Sequence, residues 1–100
     1  MSAAPQEEAL SLAETQPVGN VGRMKILIIE DDLEAAVYLT KAFREAGIVA
    51  DHASDGEAGL FMGSENTYDV IVIDRMLPRR DGLSVISELR RKAIHTPVLI

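Results

Sequence analysis

Two short runs of apolar residues constrain the fold of this chain more than any other feature of its sequence. Residues 26–29 read Ile-Leu-Ile-Ile and residues 70–73 read Val-Ile-Val-Ile, with no polar position in either run. A strand with one face in water alternates apolar and polar residues, whereas an unbroken run indicates a strand that is buried on both faces. Such strands lie at the centre of a parallel sheet covered by helices on both sides. The sequence therefore predicts an α/β domain built around these two strands.

Helical patterns separate the predicted strands. Asp32 can cap a helix whose apolar residues recur every three or four positions, and Gly47 follows where a left-handed C-cap is expected. The other expected elements are a strand at 48–53, a weaker helix from Ser54 to about Ser64 that includes Leu60 and Phe61, a helix with Val85, Ile86 and Leu89 on one face, and a last strand at 98–100. We expect Phe61 to pack in or beside the core. The order βαβαβαβ with right-handed crossovers predicts a doubly wound parallel sheet with strand order 2-1-3-4.

The chain has 100 residues, which is enough for one small domain. Residues 1–23 are mostly small or polar and include two prolines and two glycines, so we expect a flexible N-terminal tail there and a domain over 24–100. No apolar run is long enough to span a membrane, and the first residues lack the pattern of a secretory signal. These features predict a cytoplasmic protein that does not bind membranes.

The cysteine and charge content excludes several functions. Without cysteine there is no disulfide, no thiolate nucleophile and no cysteine-bearing zinc site, and the two isolated histidines do not form a metal-binding pattern. The formal net charge of -6 opposes nonspecific binding to nucleic acid. The basic residues at 79–80 and 90–92 are therefore interpreted as solvated surface.

Both central strands end in acidic residues. Glu30, Asp31 and Asp32 follow the first run, and Asp74 follows the second. In the strand order 2-1-3-4 these two strand ends are neighbours, at the edge where open α/β sheets bind ligands. We interpret Asp32 mainly as a helix N-cap. The other carboxylates would repel one another, so a divalent cation that prefers oxygen ligands, Mg²⁺ or Mn²⁺, is the expected compensating charge.

The motifs around these acids resemble those of the receiver domain of two-component response regulators. The resemblance spans 24–100 and rests on the ordered segments 25–32 (Lys-Ile-Leu-Ile-Ile-Glu-Asp-Asp), 53–58 (Ala-Ser-Asp-Gly-Glu-Ala), 68–78 (Tyr-Asp-Val-Ile-Val-Ile-Asp-Arg-Met-Leu-Pro) and 81–82 (Asp-Gly). The Met-Leu-Pro after Asp74 and the later Asp-Gly are most similar to the OmpR/PhoB winged-helix class. The resemblance implies a flavodoxin-like fold.

The resemblance also implies a function in phosphorelay signal transduction. Asp74 would be the phosphoacceptor nucleophile, taking a phosphoryl group from a sensor histidine kinase in a step that depends on Mg²⁺. Asp31 would bind the ion directly, Glu30 would bind it mainly through a water, and the main-chain carbonyl of Met76 would supply another ligand. A receiver of this kind is a phosphoacceptor and not a turnover enzyme. It would form a homodimer and reach DNA only through a C-terminal domain that this chain does not contain.

The chain departs from the family pattern at its C-terminal side. The family places a Thr or Ser at the end of its fourth strand and a Lys at the end of its fifth, and neither is present here. We therefore expect a receiver truncated after the start of the fourth strand, without the fifth strand and the last helices. The alternative is a truncated receiver that binds its kinase or a sister regulator without productive phosphorylation. A phosphatase of the haloacid dehalogenase type would need a second aspartate where Met76 stands.

Overall fold

A computed structural model describes residues 23–74 and 76–100 of the protein. Strands and helices alternate along these residues, in the order β1 (Lys25–Ile29), α1 (Leu33–Glu45), β2 (Val49–Ala53), α2 (Gly56–Glu65), β3 (Val70–Ile73), α3 (Gly82–Arg91) and β4 (Val98–Leu99). The predicted tail at 1–23 lies outside the described residues, apart from Arg23, which is exposed. The observed elements agree with the predicted ones to within about two residues at their ends, which is the usual uncertainty of such boundaries.

The four strands form one parallel sheet in the order β2-β1-β3-β4. β1 and β3 are the central pair, and β1 lies in register with both neighbours, so that Ile29 faces Ala53 on one side and Ile73 on the other. This confirms the predicted doubly wound sheet and its strand order. The carboxyl ends of all four strands consequently lie at one edge of the sheet.

Each face of the sheet carries its own apolar cluster. On one face α1 covers the sheet, and the cluster consists of Ile26, Ile28, Leu39, Phe43, Ile48, Ala50, Val70 and Val72. On the other face the cluster consists of Leu27, Ile29, Ala53, Tyr68, Ile71, Ile73, Val85 and Leu89, with parts of α2 packed against it. Successive residues of a strand point to opposite faces, so β1 and β3 contribute alternately to the two clusters. Burial on both faces explains why residues 26–29 of β1 and residues 70–73 of β3 include no polar residue.

Helix α2 packs on the sheet through glycines. Gly56, Gly59 and Gly63 are its buried residues, and a Cβ added at Gly59 would lie 2.9 Å from both Cγ1 and Cγ2 of Ile29. At Gly59 the helix therefore approaches the sheet more closely than a side chain at that position would allow. Phe61 lies on the opposite side of the helix and is 65% exposed, so the expectation that it packs in or beside the core is wrong.

Candidate functional site

The acidic residues after β1 and β3 lie next to each other because the two strands pair in register. The main-chain N–H of Asp74 donates to the carbonyl oxygen of Ile29 at 2.9 Å. The N–H of Glu30 donates to the carbonyl oxygen of Ala53 at 3.0 Å. These bonds extend the ladder by one step beyond the strands. The first residue of each loop is consequently held by the sheet itself.

Three carboxylates converge at this edge. Carboxylate oxygens of Glu30, Asp31 and Asp74 all lie within 4.8 Å of one another. Their burial is graded, since Glu30 is only 3% exposed, Asp74 is half-buried and Asp31 is exposed. The group thus reaches from the interior to the surface, where a small ion or a partner could approach it. Sequence reasoning selected these same three acids.

Asp32, the fourth acid of this region, serves α1. Its Oδ1 accepts hydrogen bonds from the N–H groups of Glu34 at 3.0 Å and Ala35 at 3.3 Å. The first N–H groups of a helix have no partner within the helix, and an aspartate at this position satisfies them. The interpretation of Asp32 as an N-cap is therefore confirmed. Its own N–H donates to Oε2 of Glu30 at 3.3 Å.

Glu30 is the most perturbed acid of the group. The pKa of its carboxyl is raised from 4.5 to about 7, mainly by burial and further by the neighbouring carboxyls of Asp74 and Asp31. Burial disfavours the charged form, and negative neighbours disfavour it further. The hydrogen bond from the N–H of Asp32 acts in the opposite direction but does not outweigh them. Near neutral pH the group therefore favours an added positive charge, which either a proton or a cation can supply.

Met76 contributes its main chain to the site. Its N–H donates to Oδ1 of Asp74 at 3.0 Å, whereas its side chain is 81% exposed. The hydrogen bond limits rotation of the Asp74 carboxylate. The structure thus places the main chain of Met76 beside Asp74, and the role of its carbonyl as a metal ligand stays a prediction.

Two contacts near the site were not expected from the sequence. Nε2 of His52 lies 2.7 Å from the carbonyl oxygen of Glu30, so this histidine of β2 supports the loop after β1. In addition, the residues before and in the first turn of α2 contact the loop between β3 and α3. A carboxylate oxygen of Asp55 lies 3.4 Å from Nε of Arg79. Tertiary packing creates both contacts, and the only local signal was the Asp-Gly pair at 55–56 before a helix.

A parallel sheet in the order 2-1-3-4, with helices on both faces, defines the class of flavodoxin-like α/β domains. The match to known families is specific within that class. The response regulator receiver domain family matches residues 26–100, and the chain belongs to this family.

Comparisons with individual proteins agree with this assignment. The chain is 47% identical over 76 residues to the transcriptional activator protein IrlR of Burkholderia pseudomallei. The matched segment covers 76% of this chain and 33% of IrlR. The receiver domain of a Francisella response regulator is 43% identical, with a TM-score of 0.73, over 76% of this chain and 63% of that one. The Thermotoga maritima response regulator TrrA, solved in complex with Mg²⁺-BeF, is 30% identical, with a TM-score of 0.65, over 69% of this chain and 60% of that one.

The comparisons also define how much of a regulator this chain represents. It spans about a third of the length of the curated relatives it matches, and these relatives are transcriptional regulators of the OmpR/PhoB type. Within the part of the chain that the structure describes, no helix has the length and apolar character needed to cross a membrane.

Proposed function

We propose that this chain is the phosphoacceptor part of a response regulator and that Asp74 receives the phosphoryl group. The observation that carries the proposal is the meeting of the Glu30, Asp31 and Asp74 carboxylates within 4.8 Å at the carboxyl edge of the sheet. Asp74 is half-buried, follows a central strand and has its carboxylate oriented by the N–H of Met76. An oriented and accessible carboxylate beside two further acids suits phosphoryl transfer, in which positioning and charge neutralisation dominate.

The same residues fit a divalent cation. Asp31 and Asp74 would bind Mg²⁺ through carboxylate oxygens, Glu30 would act mainly through a metal-bound water, and Met76 would add its main-chain carbonyl. All of these are hard oxygen donors, which Mg²⁺ and Mn²⁺ prefer. The raised pKa of Glu30 supports the proposal, because the cluster gains a compensating charge when it binds a cation. When bound, the ion would supply neutralisation of the negative charge on Asp74 and on the phosphoryl oxygens.

The proposed reaction is a direct transfer between two side chains. A carboxylate oxygen of Asp74 attacks the phosphorus of a phosphohistidine on a sensor histidine kinase. The new P–O bond forms as the P–N bond breaks, and the electron pair of that bond returns to the imidazole nitrogen. The product is an aspartyl phosphate, so the chain acts once per phosphoryl group and is not a turnover enzyme. The Met76 N–H holds the carboxylate in place during the attack.

The output we propose is control of transcription. IrlR, at 47% identity, is a transcriptional activator, and this chain covers only a third of its length. We propose that phosphorylation of the receiver portion, from Met24 onward, promotes homodimerisation in the cytoplasm and acts on DNA through a segment that this chain does not cover. The structure of TrrA with Mg²⁺-BeF supports the Mg²⁺ dependence, since that ligand mimics a metal-bound phosphoryl group.

Labelling of the protein with a radioactive phosphoryl donor tests the proposal. The wild-type protein should take up phosphate from a phosphorylated histidine kinase in the presence of Mg²⁺ and lose that uptake in excess EDTA. Asp74→Asn should abolish the labelling. Asp69→Asn is the matched control, because Asp69 is an exposed acid at the other end of β3, where its Oδ2 accepts the N–H of Lys25.

Two outcomes would contradict the proposal. Labelling that survives in Asp74→Asn would place the phosphoryl group elsewhere. Kinase binding without any labelling of the wild-type protein would favour the alternative function, a receiver that acts only as a protein-interaction module.

A further inference from the structure

The loop between β3 and α3 is seated on the first turn of α2. The N–H of Gly56 points to the carbonyl oxygen of Pro78 at 3.4 Å. Asp55 makes two contacts at once, since its Oδ1 accepts the N–H of Ala58 at 2.8 Å and caps α2, while its Oδ2 lies 3.4 Å from Nε of Arg79. One aspartate therefore joins the start of the helix to the loop.

The loop approaches this turn so closely that only glycine fits at position 56. A Cβ added to Gly56 would overlap the carbonyl oxygen of Arg80 and lie 2.7 Å from both the carbonyl carbon and the Cβ of that residue. The backbone of Gly56 does not have a positive φ, so its conformation does not require glycine. Helix propensity would favour alanine. Close approach of the loop is thus the physical reason for the glycine.

The seated loop is the segment that carries Met76. At one end the N–H of Met76 donates to Asp74, and at the other end residues 78–80 rest on α2. Within residues 78–80, Arg79 adopts a φ of 69°, a left-handed conformation that residues other than glycine rarely adopt. The surrounding contacts, including the ion pair with Asp55, hold it in this conformation.

We infer that Asp55 and Gly56 are positioning residues of the phosphoacceptor site, because they seat residues 78–80 on α2 and thereby hold the main chain of Met76 beside Asp74. The inference rests on the proposed function, in which the Met76 carbonyl is a ligand of Mg²⁺. Neither residue touches the phosphoryl group or the ion. Their effect is therefore on the affinity for the ion and on the rate of labelling, and it operates through the loop.

Gly56→Ala tests this inference, with Gly63→Ala as the matched control. Both changes add one methyl group to a buried glycine of α2, but the atoms nearest to a Cβ at position 63 are side-chain atoms of Leu89, Ile71 and Leu27 at 3.4 to 3.7 Å. The Kd for Mg²⁺ is measured by calorimetry on the complete protein, with circular dichroism as the check of folding. We expect Gly56→Ala to weaken Mg²⁺ binding roughly tenfold, as changes to groups that orient metal ligands do. Gly63→Ala should stay within about twofold, because it does not touch the loop.

The possible outcomes separate the inference from the function on which it rests. If the wild-type protein does not bind Mg²⁺, the proposed function itself is wrong. If the wild-type protein binds Mg²⁺ and Gly56→Ala binds it equally well, the function stands and the positioning inference is overturned. Equal losses of Mg²⁺ affinity in Gly56→Ala and Gly63→Ala would also overturn the positioning inference.

A measurement on the wild-type protein covers the case in which Gly56→Ala does not fold. In an NMR titration with Mg²⁺, the amide signals of Met76 and Gly56 should shift together, whereas the amide signal of Gly63 should stay in place. A shift at Met76 without one at Gly56 would show that the loop and α2 are not coupled, and would overturn the inference.

Discussion

Replacing Glu30 by glutamine should stabilise the metal-free protein above neutral pH. The pKa of Glu30 is about 7 in the folded protein, compared with 4.5 for an unperturbed glutamate. Between these two values the folded state binds more protons than the unfolded state, so the free energy of unfolding falls as the pH rises through this window and stays low above it. At about 1.4 kcal/mol per pH unit, ionising Glu30 costs the folded protein about 3 kcal/mol. Glutamine has the same shape and does not ionise.

The expected signature is a dependence of the stabilisation on pH. The free energy of unfolding of Glu30→Gln is compared with that of the wild type in EDTA at pH 5 and at pH 8. The variant's advantage should be about 2 to 3 kcal/mol larger at pH 8 than at pH 5. Hydrogen exchange of the amides of β1 and β3 reports the stability of this domain, even when the protein contains further segments. Glu65→Gln is the control, since Glu65 is an exposed glutamate at the end of α2. The stability difference between Glu65→Gln and the wild type should be the same at pH 5 and pH 8.

Mg²⁺ should reduce the stability advantage of Glu30→Gln over the wild type. A cation offsets the repulsion among Glu30, Asp31 and Asp74 in the wild type, whereas the variant has lost one of the negative charges that attract it. The wild type should therefore gain more stability from Mg²⁺ than Glu30→Gln does. A stability difference that is the same at pH 5 and pH 8, or a variant that is less stable than wild type at pH 8 in EDTA, would refute the reasoning.

The remaining predictions concern metal binding, capping and the core. Below about pH 7 the affinity for Mg²⁺ should fall by up to about tenfold per pH unit, because the ion competes with the proton on Glu30. One proton should be taken up when the ion is released, and calorimetry in buffers of different ionisation enthalpy measures that proton. An affinity that is constant from pH 8 to pH 6 would contradict this prediction. Asp32→Ala should lower the free energy of unfolding by about 1 kcal/mol, whereas Asp32→Asn should stay within a few tenths of a kcal/mol of the wild type, since asparagine also caps helices. Urea unfolding measures both variants, and equal losses of stability would rule out the capping role of Asp32. Phe43→Ala, at a side chain that is 0% exposed, should cost about 3 to 5 kcal/mol in the same assay, and a loss below 1 kcal/mol would show that α1 does not cover the sheet as described.

The sheet and the acidic cluster could be predicted because both follow from short sequence patterns and topology. Residues 26–29 and 70–73 indicate strands buried on both faces, and the order of elements fixes these strands as neighbours. Once two parallel strands are neighbours, the residues that follow them must meet at one edge. The convergence of Glu30 and Asp74 needed no knowledge of side-chain packing.

Contacts that depend on the distance between elements could not be predicted in this way. The pattern of α2 favours apolar residues on its inner face, but Gly59 and Gly63 occupy that face and leave Phe61 in solvent. The pairing of Asp55 with Arg79 joins two loops that are 24 positions apart in the chain, and their meeting depends on how closely α2 approaches the sheet. A sequence pattern gives the direction of a side chain along its own helix or strand, and packing decides what it touches.

The site combines a rigid position with an unfavourable charge. The sheet fixes the main chain of Glu30 and Asp74 through hydrogen bonds to Ala53 and Ile29, which keeps the buried Glu30 carboxyl beside Asp74. About 3 kcal/mol is a large part of the 5 to 15 kcal/mol by which a typical domain is stable. A positive charge in the cluster offsets part of that cost, and this part becomes available as binding free energy for a cation. The same rigidity that makes the metal-free site unstable above neutral pH thus favours the proposed function.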